Sequence, residues 1–187
     1  MTNEYKKALK VDVVVLTLDC SKIYFGQGSD KILHPELMAR VIGACEVEAI
    51  RQGVGSLELE RLIKAFIWLK RHLDYDCRLG IHFTVGLILE VASQIEPVQA
   101  ASIRATPVTF QNGSLGLNPQ LIQRALVSLA GQFHSLPADE FIKELLVIHP
   151  FADGNGRTAF ALYNFIKNRM TAPAPLQDYF GSEKANT

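Results

Sequence analysis

Residues 145–157 have the sequence LLVIHPFADGNGR, a stretch that changes from an apolar helix to a glycine-spaced polar loop and back to a helix. Gly154 and Gly156 permit backbone conformations in which successive amide groups face one concavity. The amino end of the following helix adds its partial positive charge to those amides. The stretch therefore predicts an anion cradle, and phosphate is the anion that suits it.

A base, a carboxylate, an amide and a guanidinium lie within residues 149–157, which we call the motif loop. A histidine that titrates near neutral pH, here His149, can accept a proton from an attacking hydroxyl. An ionised Asp153 can hold Mg²⁺ against phosphate oxygens. Asn155 and Arg157 can donate hydrogen bonds to the phosphates and to the charge that develops during transfer. Each residue alone is weak support, but together and in this order they favour a functional site.

The motif loop resembles the motif of the Fic/Doc family, H-P-F-x-[D/E]-G-N-G-R-x-x-R. It matches the first nine positions, with Ala152 in the free place. Outside the loop, Ile103-Arg104, Pro107-Val108 and a helix opening at Asn118-Pro119 resemble the Fic flap and the helix after it. The resemblance covers about residues 79–170.

The fold that this resemblance implies is mainly α, a Fic-like helical bundle with a β-hairpin flap. The flap would align an extended segment of a target protein by strand addition, using Val108, Thr109, Phe110 and Gln111. The expected organisation is an N-terminal extension over residues 1–33, a Fic-like helical domain over 34–170 and a C-terminal tail over 171–187. The extension carries a β-branched run, Val11–Leu18, that predicts a short β element with Lys22–Phe25.

The activity that the resemblance implies is transfer of a phosphate-containing group, most often AMP from ATP, onto a Ser, Thr or Tyr hydroxyl of a protein. ATP or another nucleotide would be the donor, and Mg²⁺ the cofactor. By position, the implied roles are general base for His149, Mg²⁺ ligand for Asp153, phosphate nest for Gly154, Asn155 and Gly156, β-phosphate contact for Arg157, and core anchor for Phe151.

The sequence departs from the family where the second arginine of the motif should stand, because Phe160 occupies that position. That arginine normally pairs with the γ-phosphate, so ordinary AMP transfer from ATP is one of several alternatives. The ending Arg157-Thr158-Ala159-Phe160 is similar to the R-T-A-L of the Doc branch, which implies a protein kinase or toxin. A donor without a γ-phosphate is a third alternative, and a nucleotide-binding module with little or no transfer is a fourth.

The activity of family members is often inhibited by a helix that carries the motif [S/T]-x-x-x-E-[G/N]. Ser56 to Glu60 fits the first five places, but Arg61 follows where Gly or Asn is expected. Helix capping explains Ser56 without an inhibitory role. A separate small inhibitory partner protein is the alternative.

Net charge and composition exclude several other classes. The chain has 187 residues, and 19 Lys and Arg balance 19 Asp and Glu, so no global field attracts nucleic acid or acidic lipid. No apolar run approaches the length of a membrane span, and the polar start lacks the order of a secretory signal. We therefore expect a cytoplasmic protein without a membrane or direct nucleic-acid partner. Cys20, Cys45 and Cys77 predict buried free thiols.

Helical periodicity and caps predict the remaining elements. Helices are expected from Pro35 to about Gly53, from a cap at Ser56, from about Leu79 to Ile95, from Asn118-Pro119, from Pro137, and from the motif loop to about Arg169. The third of these is rich in apolar residues, which predicts a central, well-buried helix. Asn112-Gly113 predicts the tight turn of the hairpin.

Overall fold

A computed structural model describes residues 34–76, 83–100, 102–110, 113 and 115–176, all within the unit Leu33–Thr187. The β element predicted in residues 1–33 lies outside these ranges. The described residues form six helices and a bundle that is mainly α, as the motif implies. The helices are α1 (Pro35–Gln52), α2 (Ser56–Asp76), α3 (Val85–Ile95), α4 (Pro119–Gly131), α5 (Ala138–Ile148) and α6 (Asn155–Asn168).

The first two helices follow the prediction closely. Pro35 opens α1, and Gly53 ends it in the left-handed conformation with φ 66°, which a glycine adopts without steric cost. The start of α2 differs by one position. The carbonyl of Gly55 accepts the N–H of Leu59 at 3.1 Å, so Gly55 takes the cap position. Ser56 is the first helical residue and not the cap that the sequence predicts.

The third helix begins at Val85. The sequence predicts a helix from about Leu79, but the described residues just before Val85, Phe83 and Thr84, are not helical. Thr84 has an extended backbone, and its hydroxyl accepts the N–H of Leu87 at 3.3 Å, which caps the helix. Phe83 stays outside the helix and stacks on Phe133, with ring centroids 4.4 Å apart. The helix ends at Ile95 as predicted, two residues before a proline that cannot continue it.

The segment that the sequence predicts as a hairpin flap, residues 107–117, does not form two paired strands. Its described residues make a single antiparallel bridge, between Thr109 and Leu115. Gly113 has the positive φ of 80° that a tight turn requires. Gln111 and Asn112 lie outside the described residues, so their predicted roles stay predictions.

Arg104 contacts the flap at the place where a longer ladder would continue. In the register of that bridge, a longer ladder would bring the N–H of Asn118 to the carbonyl of Thr106. That carbonyl accepts from the guanidinium of Arg104 at 2.7 Å, and Asn118 caps α4 by accepting the N–H of Gln120. An arginine side chain therefore holds the two arms of the flap where a ladder would otherwise hold them.

The helix with the most helix neighbours is α6, while α3, predicted to be central and well buried, packs against α2, α4 and α6. Helix α6 packs against α1, α2, α3 and α5, and its residues from Arg157 to Phe165 are buried without interruption. Ala159 and Ala161 allow this close approach on several sides. Because the motif loop leads directly into α6, the most surrounded helix positions the candidate site.

Two further expectations concern thiols and membranes. Cys45 is a buried free thiol, as predicted, while the other two cysteines lie outside the described residues. Within the described ranges, no helix combines the length and the apolar character needed to cross a membrane.

Candidate active site

His149 ends α5 in a left-handed conformation, with φ 49° and ψ 64°. Its N–H donates to the carbonyl of Leu145 at 3.0 Å, which closes the last turn, and the following Pro150 prevents the helix from continuing. A positive φ is uncommon for a residue other than glycine and is held here by surrounding contacts. The chain therefore turns sharply at the predicted base.

Arg104 fixes this turn to the flap. Its Nε donates to the carbonyl of His149, its Nη1 to that of Thr106 and its Nη2 to that of Leu117, each at 2.7 Å. Its own N–H donates to the carbonyl of Pro150 at 2.9 Å. One buried guanidinium thus joins the motif loop to both arms of the flap. The sequence pointed to Arg104 only as part of the family resemblance, because the partners of its side chain are up to 45 residues away.

The imidazole of His149 lies between the flap and the motif loop. The ring of Phe110 meets it edge to face, with centroids 5.0 Å apart and an angle of 82°. Burial lowers the pKa of His149 below its ordinary 6.5, and the charge of Arg104 lowers it further, while a backbone hydrogen bond at Leu146 and the charge of Asp153 act in the opposite direction. The ring is therefore neutral at neutral pH, as a general base must be.

Asn155 braces the loop from within. Its side-chain oxygen accepts the N–H of Phe151 at 3.0 Å, and its amide nitrogen donates to the carbonyl of Phe151 at 2.8 Å. Phe151 itself is fully buried, which is the core anchor that the motif implies. Both the oxygen and the nitrogen of the Asn155 side-chain amide are engaged in these hydrogen bonds. The predicted contact of Asn155 with phosphate therefore falls to its backbone N–H, and it remains a prediction.

Asp153 binds the start of α6 at two points. Its Oδ1 accepts the N–H of Gly154 at 2.6 Å, and its Oδ2 accepts from Nη2 of Arg157 at 3.1 Å. The helix has no side-chain cap hydrogen bond, so the first-turn N–H groups of Asn155, Gly156 and Arg157 have no acceptor within the helix. Of the predicted nest, the N–H groups of Asn155 and Gly156 can therefore bind an anion together with that of Arg157, while the N–H of Gly154 donates to Asp153.

Arg157 is the largest fully buried polar side chain at the site. Only 2% of its surface is exposed, and its Nε and Nη1 have no hydrogen-bond partner among the described residues. A buried donor without a partner costs about 1–3 kcal/mol, and more when it is charged. An anion at the amino end of α6 would satisfy these donors, so the residues present fit a phosphate group.

Asp153 is the carboxylate available to a divalent cation. Over the part of the chain that the structure describes, no three His, Cys, Asp or Glu side chains gather as a protein-only metal site would need. The side chain of Asp153 is 53% exposed beside the phosphate-binding donors. That arrangement fits Mg²⁺ held by one carboxylate together with phosphate oxygens.

Two polar residues flank the loop without having been predicted. Glu96, at the carboxyl end of α3, approaches Gly154 so closely that a Cβ there would lie 3.0 Å from the Cβ of Glu96. The side-chain amide of Gln52, at the end of α1, would lie 3.0 Å from a Cβ at Gly156. The signal available in the sequence for Glu96 was a carboxylate at the end of an apolar helix, just before Pro97. No pattern in the sequence connects Gln52 with the loop.

Phe160 lies in the core rather than at the site. Its side chain is fully buried, and its ring centroid is 5.1 Å from that of Phe66 in α2. The position where the family places a second arginine therefore faces apolar packing. The segment compared with the inhibitory motif is likewise engaged elsewhere, since Glu60 forms an exposed ion pair with Lys64 in the same helix.

Residues 111–166, which include the motif loop, match the family model described as the Fic/DOC family. The fold is similar to the crystal structure of IbpAFic2 covalently tethered to Cdc42, with a TM-score of 0.59 and 18% identity over 80% of this chain and 54% of that one. The resemblance to the Fic/Doc family is thereby confirmed for this protein.

Two further solved structures share the fold. Fic-1 from C. elegans is 20% identical with a TM-score of 0.51, covering 78% of this chain and 51% of that one. A Fic family protein from Desulfovibrio desulfuricans G20 is 17% identical with a TM-score of 0.51, covering 72% and 49%. This chain thus spans about half the length of each of these structures.

A short local similarity has a different character. Over 45 residues the chain is 47% identical to the ribonucleoside-diphosphate reductase small chain of Ostreid herpesvirus 1 (isolate France), which is 24% of this chain and 8% of that one. A match to so small a part of the larger protein transfers no activity to this one.

Proposed function

We propose that this protein transfers a phosphate-containing group from a nucleotide to a Ser, Thr or Tyr hydroxyl of a target protein, with AMP as the leading group. The observation that carries the proposal is Arg157, buried at the amino end of α6 with two unpartnered N–H donors. It lies within the same short loop as a histidine whose lowered pKa keeps it neutral. An anion site next to a neutral base is the pair that phosphoryl-type transfer needs.

The proton moves through His149 in this proposal. As the target hydroxyl oxygen forms its bond to phosphorus, a ring nitrogen of His149 takes the hydroxyl proton. When AMP is transferred from ATP, the bond from the α-phosphorus to the bridging oxygen breaks, and pyrophosphate leaves with the electron pair. The contact with Phe110 and the hydrogen bond from Arg104 to the His149 carbonyl hold the base in place while this occurs.

The negative charge of the nucleotide phosphates is bound at the start of α6 in this proposal. The N–H groups of Asn155, Gly156 and Arg157 and the guanidinium of Arg157 bind the phosphates. Mg²⁺, when held by Asp153, would neutralise the remaining phosphate charge. Val108 and Thr109 lie on the arm of the flap that would align the target segment, and Thr109 already pairs in β geometry with Leu115.

AMP leads among the transferred groups because of what the similar structures contain. A histidine-to-alanine variant of IbpAFic2, with a TM-score of 0.58 and 18% identity, was solved in complex with adenylylated Cdc42. That complex is one of IbpAFic2, and the group, the target and a cytoplasmic site of action are carried to this chain only as proposals. A small inhibitory partner protein belongs to the same proposal.

The test is a donor screen in a cell lysate. The protein is incubated with Mg²⁺ and ATP, UTP, GTP or CDP-choline, and mass spectrometry identifies groups added to lysate proteins. We expect a modification that the His149→Ala variant loses and the His134→Ala control retains, since His134 is exposed beyond α4. The absence of any modification that depends on His149 would contradict the proposal. Addition of a bare phosphate would instead support a Doc-like kinase.

A second candidate is a nucleotide-binding module without efficient transfer. The burial of Phe160 in the core favours it, because α6 then supplies one arginine where the family motif has two. This candidate predicts nucleotide binding without turnover. It also predicts that Arg157→Ala abolishes a cellular phenotype that His149→Ala leaves intact.

A further inference from the structure

Two arginines from different helices share one carboxylate oxygen beside the motif loop. Oε2 of Glu96 lies 3.7 Å from Nη2 of Arg157 in α6 and 3.8 Å from Nη1 of Arg61 in α2. The two guanidinium groups are therefore near neighbours across a single acceptor. They differ in access, since the side chain of Arg61 is 27% exposed and that of Arg157 is 2% exposed.

The placement of Glu96 is electrostatically unfavourable without these arginines. It is only 8% exposed, and it lies at the carboxyl end of α3, where the partial negative charge of the helix opposes a carboxylate. Burial of the carboxylate adds a desolvation cost that paired cations must offset. Glu96 therefore occupies, between Arg61 and Arg157, a position that suits an anion.

The cation that the motif lacks cannot come from α6. Phe160 faces Phe66 in the core, so this part of α6 presents no charge to the loop. Arg61, in α2, approaches the same carboxylate oxygen as Arg157, and its side chain is partly open to solvent. Two guanidinium groups that approach the same oxygen can form charge-assisted hydrogen bonds with adjacent phosphates of a nucleotide.

We propose that Arg61 is a second phosphate-binding residue, which leaves Glu96 and binds the phosphate beyond the one held by Arg157 when a nucleoside triphosphate enters. This inference rests on the proposed function and adds the residue that recognises the terminal phosphate. Glu96 acts as a stand-in anion that the terminal phosphate displaces. Arg61 then determines the preference for ATP over nucleotides with fewer phosphates.

The experiment compares binding of Mg²⁺-ATP, Mg²⁺-ADP and AMP by calorimetry for the wild type and four variants of the full chain. Arg61→Gln should weaken ATP binding about 10-fold or more while leaving AMP binding unchanged, because a hydrogen-bonded charge contact is lost only for the longer ligand. Arg61→Lys should lose less, since it keeps the charge without the guanidinium fork. Lys64→Gln, on the same helix and paired with Glu60, is the control and should change neither affinity.

A further variant is expected to bind ATP more tightly, a result that misfolding could not produce. Glu96→Gln removes the competing charge at nearly constant volume, so ATP should bind several-fold more tightly. Equal losses for ATP and AMP in Arg61→Gln, or no loss at all, would overturn the inference and leave the proposed function intact. Unchanged or weaker ATP binding in Glu96→Gln would also overturn it. A wild-type protein that binds none of these nucleotides would overturn both.

Discussion

Phe160 packs on Phe66 with their ring centroids 5.1 Å apart, which joins α6 to α2 at the position where the motif of the family has its second arginine. Both side chains are almost completely buried. Phe160, which replaces the second arginine of the motif, is therefore a core residue and does not line the candidate site. A change at this position acts on stability before it acts on nucleotide binding.

Phe160→Arg should destabilise the protein and should not create the missing phosphate contact. Burying an unpaired guanidinium in an apolar core is expected to lower the free energy of unfolding by at least about 4 kcal/mol. Phe160→Leu, which keeps the position apolar, should lower it by roughly 1–1.5 kcal/mol. Urea denaturation followed by circular dichroism measures both. A Phe160→Arg variant of wild-type stability that binds ATP more tightly would show that the position faces the site.

Arg104→Met should alter both the stability of the protein and the acidity of His149. Three carbonyl groups lose their donor, so unfolding should become easier by about 3 kcal/mol or more. The positive charge that helps to lower the pKa of His149 also disappears, so this pKa should rise toward its ordinary 6.5. Titration of the His149 ring by NMR checks the shift. Arg124→Met, at an exposed position on α4, is the control and should leave the pKa where it is.

The pH dependence of stability should carry the signature of His149. Its pKa is lower in the folded protein than the ordinary 6.5, so the unfolded chain binds the proton more tightly. The contribution of this group is therefore complete above pH 6.5 and is lost as the pH falls through the folded pKa. A transferase that uses neutral His149 should lose its rate over the same acidic range. Denaturation midpoints of the wild type and His149→Gln between pH 5 and 8 test this, and equal slopes for the two proteins would argue against it.

Gly154→Ala should be strongly destabilising, while Gly131→Ala should not. Gly154 has a φ of 79°, and an added Cβ would lie 3.0 Å from the Cβ of Glu96. Left-handed strain and this contact together are expected to cost roughly 2–4 kcal/mol. Gly131, the last residue of α4, has nothing within 4 Å of such a Cβ, so alanine should be neutral or should add up to about 1 kcal/mol. Thermal denaturation compares the two, and similar losses in both would contradict the role of the loop conformation.

Local signals explain what the sequence predicts well. Asn118 and Pro119 mark the start of α4 because capping depends on neighbouring residues, and Gly53 ends α1 for the same reason. The motif loop was recognisable because its chemistry lies within residues 149–157. Its core anchor at Phe151 follows the family motif directly.

Contacts between distant residues explain what the sequence does not predict. The three carbonyl partners of the Arg104 side chain come from separate segments, and these hydrogen bonds join the motif loop to both arms of the flap. Glu96 meets Arg157 only because the end of α3 packs beside the start of α6. Apolar content pointed to α3 as a buried, central helix, but it did not show that α6 has more helix neighbours, because composition does not reveal them.

The most direct test of the account is a crystal structure of the protein with Mg²⁺ and ATP. We expect a phosphate oxygen within hydrogen-bond distance of Nε or Nη1 of Arg157 and of the N–H of Gly156, with the transferred phosphorus beside the ring of His149. Nucleotide bound elsewhere, or a motif loop without nucleotide at saturating ATP and with Glu96 still against Arg157, would contradict the central claim that residues 149–157 bind a nucleotide for transfer.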